Sequence, residues 1–340
     1  MPRLCEFPGL ISLSQGFGDG VPKRCFMIHV VCPNPAIDKL YAIDDFAPGE
    51  DYPGQRPTVR FGGKGVNVAR VLSQLGAQAT LYAFMGEESE TGFRREMEKC
   101  CRCAFIAVPG ACRTTVNVID RKNGRETVIT ERGPEVTDTH VQRMLRTLEA
   151  NVQPGDLVCC SGSIIAGAPA DLYASISRLS AEMGAQCALD CNAAALPKSL
   201  EGAAYALGKP NERELCALLG QARTQEPAEI ARLARRLMPP YAALLVSMGA
   251  QGGVWVGPEG ACLARVPEKP VVSTVGSGDA TFAGALHAMV QGMDAKDALR
   301  LAMACGAANA VLGEVGSVRP EDVRALAARI AAEPGELKND

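Results

Sequence analysis

Through most of the chain, short unbroken apolar runs alternate with longer segments whose apolar residues recur at helical spacing. The runs at 28–32, 79–84, 157–161, 187–190, 205–208 and 243–247 predict strands, and the segments 66–75, 170–183, 212–219 and 280–289 predict helices. Strands that alternate with helices build βαβ units. Their strands lie parallel, and they are apolar throughout because helices cover both faces of the sheet. The pattern therefore predicts an α/β fold with a doubly wound, mostly parallel sheet.

Two segments depart from this alternation. Residues 40–59 read as extra strand, and residues 114–131 read as a hairpin in which Thr-Thr-Val-Asn-Val-Ile-Asp and Glu-Thr-Val-Ile-Thr flank a turn at Lys-Asn-Gly. Strands inserted between βαβ units at two separate points can pair into a small sheet. That sheet, built from about residues 39–60 and 113–132, would stand as a lid over the carboxyl ends of the parallel strands, where α/β folds bind ligands. The unpaired edges of such a lid invite a second subunit, so a homodimer through the lid is expected. The first core strand begins directly after Met27, so residues 1–26 read as a loose N-terminal extension, 27–330 as one domain and 336–340 as a frayed end.

Composition narrows the partners. The 340 residues are 47% hydrophobic and 21% charged with a formal net charge of −3, an ordinary globular balance that offers no broad attraction for nucleic acid or an anionic membrane. No run is long and apolar enough to span a bilayer, and residues 1–26 lack the architecture of a signal peptide, so a cytoplasmic protein is expected. The 14 cysteines are scattered, many of them inside apolar runs, and read as small buried hydrophobes. Cys100 and Cys103 form one CxxC, but no second pair follows and the chain has 3 histidines, which argues against a zinc site.

The chemistry concentrates in two glycine-rich turns. Ser273-Thr274-Val275-Gly276-Ser277-Gly278-Asp279-Ala280 feeds an apolar helix. Glycines let consecutive main-chain N–H groups converge at a helix N-terminus, where the dipole also favours an anion such as phosphate. A carboxylate inside such a cradle is out of place unless it acts on the ligand. In phosphoryl transfer, a carboxylate that takes the proton of the attacking hydroxyl must stand beside the transferred group, which points to Asp279 as a general base. Helix capping by Asp279 is the plain alternative. A dinucleotide turn is the other, a weak rival because Thr281 stands where the third glycine belongs and the turn lies far toward the C-terminus; nicotinamide cofactor binding would test it.

The second turn, Phe61-Gly62-Gly63-Lys64-Gly65-Val66-Asn67-Val68-Ala69-Arg70, also opens a helix. It is not a P-loop, because Gly65 rather than Ser or Thr follows Lys64 and the upstream glycine is misplaced. Lys64 can act as a point charge on a phosphate or sugar oxygen, and Asn67 can offer an amide to a sugar hydroxyl. The alternative is a packing turn with a solvated lysine.

Together, Gly-Gly-Lys-Gly-x-Asn-x-Ala and Val-Gly-Ser-Gly-Asp-Ala resemble the two signatures of the ribokinase-like sugar kinases, the phosphofructokinase B family. Further matches run in the same order: Asn34-Pro35-Ala36-Ile37-Asp38, Ser161-Gly162-Ser163, Lys209-Pro210-Asn211-Glu212-Arg213-Glu214 and Ser247-Met248-Gly249-Ala250-Gln251-Gly252-Gly253. The resemblance covers about residues 27–327. It implies a three-layer α/β/α core with a small β-sheet lid, ATP and Mg²⁺ as nucleotide and metal, and a hexose phosphate as acceptor.

Carried over residue by residue, the resemblance makes Asp279 the base and the amides of Gly276, Ser277 and Gly278 the anion hole. Asp38, Gly63, Lys64 and Asn67 would hold the sugar. Arg113 and Asn117 would reach from the lid to the phosphate already on it, a group that suits a guanidinium fork. Asn211 and Glu214 would organise Mg²⁺ through water, Lys209, Ser247, Gly249 and Gly252 would border the nucleotide together with that pair, and Asn309 would flank adenine. Lys64 and Arg113 supply a second cationic pole, which favours an already phosphorylated hexose: fructose 1-phosphate, with tagatose 6-phosphate or fructose 6-phosphate as alternatives. The chain departs from the family where Ile164-Ile165-Ala166-Gly167 replaces a Pro-rich turn and where Asp190-Cys191-Asn192 replaces Asp-Thr-Ser. Outside this class, a sugar-phosphate-binding regulator that kept the fold and lost the chemistry stays open.

Overall fold

The computed structural model describes residues 26–335, so the expected extension, apart from its last residue, and the expected frayed end lie outside the described residues. In chain order the elements are β1 (Ile28–Val31), β2 (Ala36–Ile43), β3 (Thr58–Gly62), α1 (Lys64–Gln74), β4 (Ala79–Gly86), α2 (Glu87–Met97), β5 (Arg102–Val108), β6 (Arg113–Asp120), β7 (Arg125–Thr130), α3 (Asp138–Asn151), β8 (Leu157–Gly162) and α4 (Leu172–Glu182). They continue with β9 (Gln186–Cys191), α5 (Leu196–Leu200), β10 (Leu207–Gly208), α6 (Glu212–Leu218), α7 (Pro227–Arg235), β11 (Leu244–Ser247), β12 (Gly253–Gly257), β13 (Gly260–Ala264), α8 (Ser277–Val290), α9 (Ala295–Leu312), α10 (Pro320–Ala327) and β14 (Ala332–Pro334).

The core sheet has 10 strands in the order β14-β13-β12-β11-β10-β9-β8-β1-β4-β5. From β11 to β5 all neighbours are parallel, and β12, β13 and β14 add an antiparallel edge. β1, β4 and β8 are buried at every position, which is why they read as unbroken apolar runs. One face carries α1, α8, α9 and α10 over a core that includes Val66, Leu72, Phe282, Leu286, Leu299 and Leu326. The other carries α3, α4, α6 and α7 over Met144, Leu148, Ile176, Leu215, Ile230 and Leu233. The result is the three-layer α/β/α architecture.

From β1 the chain winds outward through β4 to β5, then returns to β8 on the other side of β1 and winds outward again. The loops that follow β1 and β8 therefore diverge and leave a crevice at the carboxyl ends of the strands, the usual ligand position in open α/β sheets. α8 is nearly all apolar and buried along most of its length, as expected of a helix packed between neighbours rather than at the surface. Its Gly284 meets α9 so closely that a Cβ there would lie 2.8 Å from Cys305 Sγ and 3.0 Å from Ala302 Cα. The N-terminus of α8 is thereby fixed at the crevice.

The four-stranded lid has the order β3-β2-β6-β7, with β2 and β6 parallel and both outer pairs antiparallel. β2 starts at Ala36, so Asp38 lies within a strand rather than in a turn after the Asn-Pro step. β14 pairs with β13 and carries the core sheet past residue 330. The 12 cysteines among the described residues are free thiols, and 9 of them are buried. Among the described residues no helix is long and apolar enough to cross a membrane.

Candidate active site

Gly276 caps α8 in the left-handed region at φ 80°, and a Cβ there would lie 2.6 Å from Gly316 N, so both backbone and neighbour require glycine. The turn is closed by Ser277 N–H, which donates to Thr274 O at 3.1 Å. This corrects the expected cradle: the Ser277 amide is spent on the turn. The amides of Gly276, Gly278 and Asp279 have no acceptor among the described residues. Asn309, expected beside adenine, is fully buried. Its Nδ2 donates to Val275 O at 2.9 Å and Ser277 Oγ at 3.2 Å, while Oδ1 accepts from Ser317 N at 3.2 Å. With its amide so engaged it braces the turn from beneath and is not available to a base.

Asp279 sits in the first turn of α8 but does not cap it. Its side chain is buried, and Oδ2 accepts a hydrogen bond from Asn67 Nδ2 at 2.8 Å, joining residues 212 positions apart. Burial pushes its carboxyl up to about 6, and the charge of Asp190 adds to the rise against Lys64, the Asn67 amide and Lys209. A carboxylate titrating there is charged at neutral pH yet basic enough to take a proton in a transition state.

Asn67 and Lys64 come from the second turn. A Cβ at Gly65 would lie 2.5 Å from Cys32 Cβ, so the N-terminus of α1 is pressed onto the end of β1. Gly63, at φ 105°, precedes it as N-cap, close to Pro35 and Ala36. Lys64 Nζ donates to Asp190 Oδ1 at 3.3 Å, and Lys209 Nζ lies 3.4 Å from Asp190 Oδ2. Asp190 is 1% exposed, and Oδ2 lacks a hydrogen bond of good geometry despite that nearby ammonium. The Asp190 charge, with Asp279 and Glu214 adding to it, holds the Lys64 ammonium above the usual lysine range in spite of burial. Lys209 also reaches the anion turn, 3.6 Å from where a Cβ on Gly278 would stand.

Asp190 was absent from the expected site, where it figured only in a departure from the family pattern. Its signal was nonetheless present: one carboxylate stands next to last in β9, after the apolar run 187–189.

Strand register puts Asp38, Arg60, Arg113, Thr115 and Asn117 on one face of the lid. The Asp38 carboxylate lies over Gly62, where any Cβ would run into Oδ2. Burial raises the Asp38 carboxyl above its ordinary value, with the Arg113 charge, the Thr115 hydroxyl and Arg70 pulling the other way. Arg113 Nε donates to Asn34 O at 3.4 Å, and Asn34 Nδ2 donates to Ser163 Oγ at 3.2 Å, tying the lid to both loops of the crevice. Asn117 lies farther along, opposite Leu40. Arg60, unforeseen in the sequence, reaches Glu314 at 3.8 Å beyond α9.

On the nucleotide side, Asn211 and Glu214 form a capping box on α6. Glu214 N donates to Asn211 Oδ1 at 2.9 Å, and Asn211 N donates to Glu214 Oε2 at 3.0 Å. Among the described residues no group of three or more His, Cys, Asp or Glu is placed to hold a metal ion. Ser247 bridges to Asn211 at the end of β11, and Gly249 is exposed at φ 59°. Gly252 is buried at φ 98°, and a Cβ there would run into Ala264 O, so both backbone and neighbour require glycine.

The family model described as pfkB family carbohydrate kinase matches residues 27–321. The chain is 31% identical over 296 residues to 1-phosphofructokinase of Bacillus subtilis (strain 168), covering 86% of this chain and 95% of the relative. It is 34% identical over 309 residues to 1-phosphofructokinase of Rhodobacter capsulatus, covering 88% and 95%. Among solved structures, a possible 1-phosphofructokinase from Thermotoga maritima superposes with a TM-score of 0.79 at 26% identity, covering 91% of this chain and 100% of the other. Phosphofructokinase-2 from Escherichia coli in complex with substrates and products shares the fold with a TM-score of 0.81 at 22% identity, covering 89% and 99%.

Proposed function

The chain belongs to the pfkB family of carbohydrate kinases, and we propose that it transfers the γ-phosphoryl group of ATP to the 6-hydroxyl of fructose 1-phosphate, giving fructose 1,6-bisphosphate. The observation that carries this reading is the pairing at the start of α8: amides of Gly276, Gly278 and Asp279 without an acceptor among the described residues, and beside them the Asp279 carboxylate held by Asn67. An anion hole and a base within one helical turn fit a reaction in which a hydroxyl loses its proton as a phosphoryl group arrives.

In this reading Asp38 holds sugar hydroxyls, the second N–H of the Asn67 amide reaches one more, and the 6-hydroxyl is presented to Asp279. As its oxygen bonds to the γ-phosphorus, the bond to the ADP oxygen breaks, the proton passes to Asp279, and the main-chain amides meet the charge on the transferred group. Lys209, next to the anion turn, faces the same charge. Mg²⁺, when bound, offsets negative charge on the nucleotide phosphates. Glu214 and Asn211 would hold it through water, and the buried Asp190 Oδ2 without a hydrogen bond is an oxygen donor that fits the same role.

Fructose 1-phosphate is favoured by the names of the relatives and by the cations Arg113 and Arg60 on the substrate face of the lid, which suit a second phosphate. Coupled ADP release with fructose 1-phosphate, tagatose 6-phosphate and fructose 6-phosphate tests the choice. Fructose 1-phosphate is expected to give the highest kcat/KM. A higher value for either rival reassigns the substrate, and tight binding of all three without ADP release replaces the kinase by a binding protein.

The lid also supports a homodimer. Val59 and Ile129 are 51% and 58% exposed on the face turned from Asp38, where a second lid would cover them. Sedimentation as a monomer at assay concentration would remove this part of the reading.

A further inference from the structure

Arg70 is a mostly buried guanidinium with no carboxylate within ion-pairing distance among the described residues. Charge taken out of water without a countercharge is costly, and it persists where hydrogen bonds hold it and something depends on it. Here Nη2 donates to Phe61 O at 2.7 Å and approaches Met97 Sδ at 3.8 Å, while Nη1 donates to Asn67 Oδ1 at 3.3 Å. The site described above gives Arg70 no part beyond a weak pull on the Asp38 carboxyl.

The contact with Asn67 has a consequence for the base. The two ends of an asparagine amide have the same shape but opposite hydrogen-bonding character. With Nδ2 toward Asp279, the amide donates to the carboxylate at 2.8 Å. Turned over, it would set Oδ1 against the carboxylate, acceptor on acceptor. A guanidinium has donors only, so Arg70 can satisfy Oδ1 and cannot satisfy Nδ2. From the other side Gly316 packs on Asn67 so tightly that a Cβ there would lie 2.6 Å from Asn67 Cβ. The side chain is pinned between that backbone and Arg70.

We propose that Arg70 is a positioning residue for the phosphoryl-transfer reaction: it fixes the Asn67 amide with its NH₂ toward Asp279 and so orients the catalytic base. The inference rests on the proposed role of Asp279 and adds a residue to it. Through Phe61 O the same guanidinium joins the end of β3, just before the Gly62-Gly63 turn, to α1. A purely structural Arg70 would act through that second contact alone, and the two roles differ in their kinetic signature.

The test compares Arg70→Met, Arg70→Lys, Asn67→Ala and the double variant Arg70→Met/Asn67→Ala by steady-state kinetics across pH. Asp279 is also faced by Asp190 from β9, Lys64 from α1, Lys209 after β10, and the thiols of Cys32 after β1 and Cys159 in β8, all of which stay in place. Arg70→Met is expected to lower kcat about tenfold or more, with KM for ATP changed less than about threefold. The acidic limb of the kcat profile should move to higher pH, because the carboxylate loses a donor that favours its charged form. Asn67→Ala should move the limb the same way, and adding Arg70→Met to it should move it no further. Arg70→Lys, which keeps the charge and can still donate to Asn67 Oδ1, should recover part of both effects.

Arg70→Met and Asn67→Ala effects that simply add, or an acidic limb unmoved in folded Arg70→Met, would overturn the proposal. If Arg70→Met does not fold, Arg70→Lys measured with and without Asn67→Ala carries the same comparison. Full turnover in Asp279→Asn would remove the base itself. Its loss there, together with additive Arg70 and Asn67 effects, removes only the part given to Arg70.

Discussion

β1 and β8 bury charge at both of their ends, and the two ends differ in one respect. At the amino end Asp156 accepts from Met27 N at 3.1 Å, Gln153 N at 2.9 Å and His29 Nε2 at 3.1 Å. The other nitrogen of His29 accepts from Tyr82 OH at 2.9 Å, the arrangement a neutral imidazole beside a carboxylate requires. Burial lowers the His29 pKa below its ordinary value. A cavity of about 200 Å³ opens beside this cluster, lined by Thr80, Arg102 and Asn151 among others. At the carboxyl end Asp279 is perturbed just as clearly, but among the described residues Asp190 Oδ2 has only the Lys209 ammonium at 3.4 Å and no hydrogen bond, and three amides face no acceptor. Burial, shifted ionisation and an adjoining cavity are thus found where no chemistry is expected. What marks the carboxyl end is polar groups that the chain itself leaves incomplete, so that a ligand can complete them.

The comparison breaks most easily by removing one carboxylate at each end. Asp279→Asn keeps the shape of the side chain and an oxygen for the Asn67 amide, so substrate affinity should stay within a few fold while turnover falls by about 10² or more. Asp156→Asn should do the reverse. It sets an NH₂ against main-chain donors, which should cost about 1–3 kcal/mol of stability while kcat and both KM values stay within about twofold. Steady-state kinetics and urea unfolding of the two variants decide the matter. A folded Asp156→Asn that loses turnover, or an Asp279→Asn that keeps it, erases the distinction between the two ends.

This contrast also separates what was legible in the sequence from what was not. The parallel core could be read from 28–32, 79–84 and 157–161 because strands buried on both faces leave unbroken apolar runs. Asp279 could be read because a carboxylate in a glycine-rich helix start conflicts with its surroundings. Asp190 and Arg70 were missed for a common reason. Each gains its meaning from partners far along the chain or on another element: Asp190 lies 126 positions from Lys64, and Arg70 acts on Asn67 only once Asn67 has met Asp279. Asn309 was assigned to the nucleotide because sequence places it near the site but cannot say that its amide is already spent. The Ser277 amide escaped for the same reason, since a hydrogen bond closing its own turn leaves no trace in composition or spacing.

The smallest expected effect is the most specific to the comparison, because the two ends should respond to pH with opposite sign. Asp279 has a folded pKa of about 6 against an ordinary 3.8, so between those values the folded state holds the proton that the unfolded state releases. Its contribution to stability is therefore fully present below 3.8 and is lost as pH rises through about 6. His29 is shifted down from 6.5, so its contribution is present above 6.5 and is lost as pH falls through its lower folded value. Neither Asp279→Asn nor His29→Gln can titrate there. Relative to the parent protein, Asp279→Asn should gain stability as pH rises from about 4.5 to about 7.5, by on the order of 1–3 kcal/mol. His29→Gln should instead gain as pH falls over the same interval. Urea unfolding of the three proteins at both pH values gives the two slopes directly. Slopes of the same sign would mean that the two buried clusters are not held in the protonation states their partners dictate, and the distinction between a completed cluster and an incomplete one would lose its electrostatic basis.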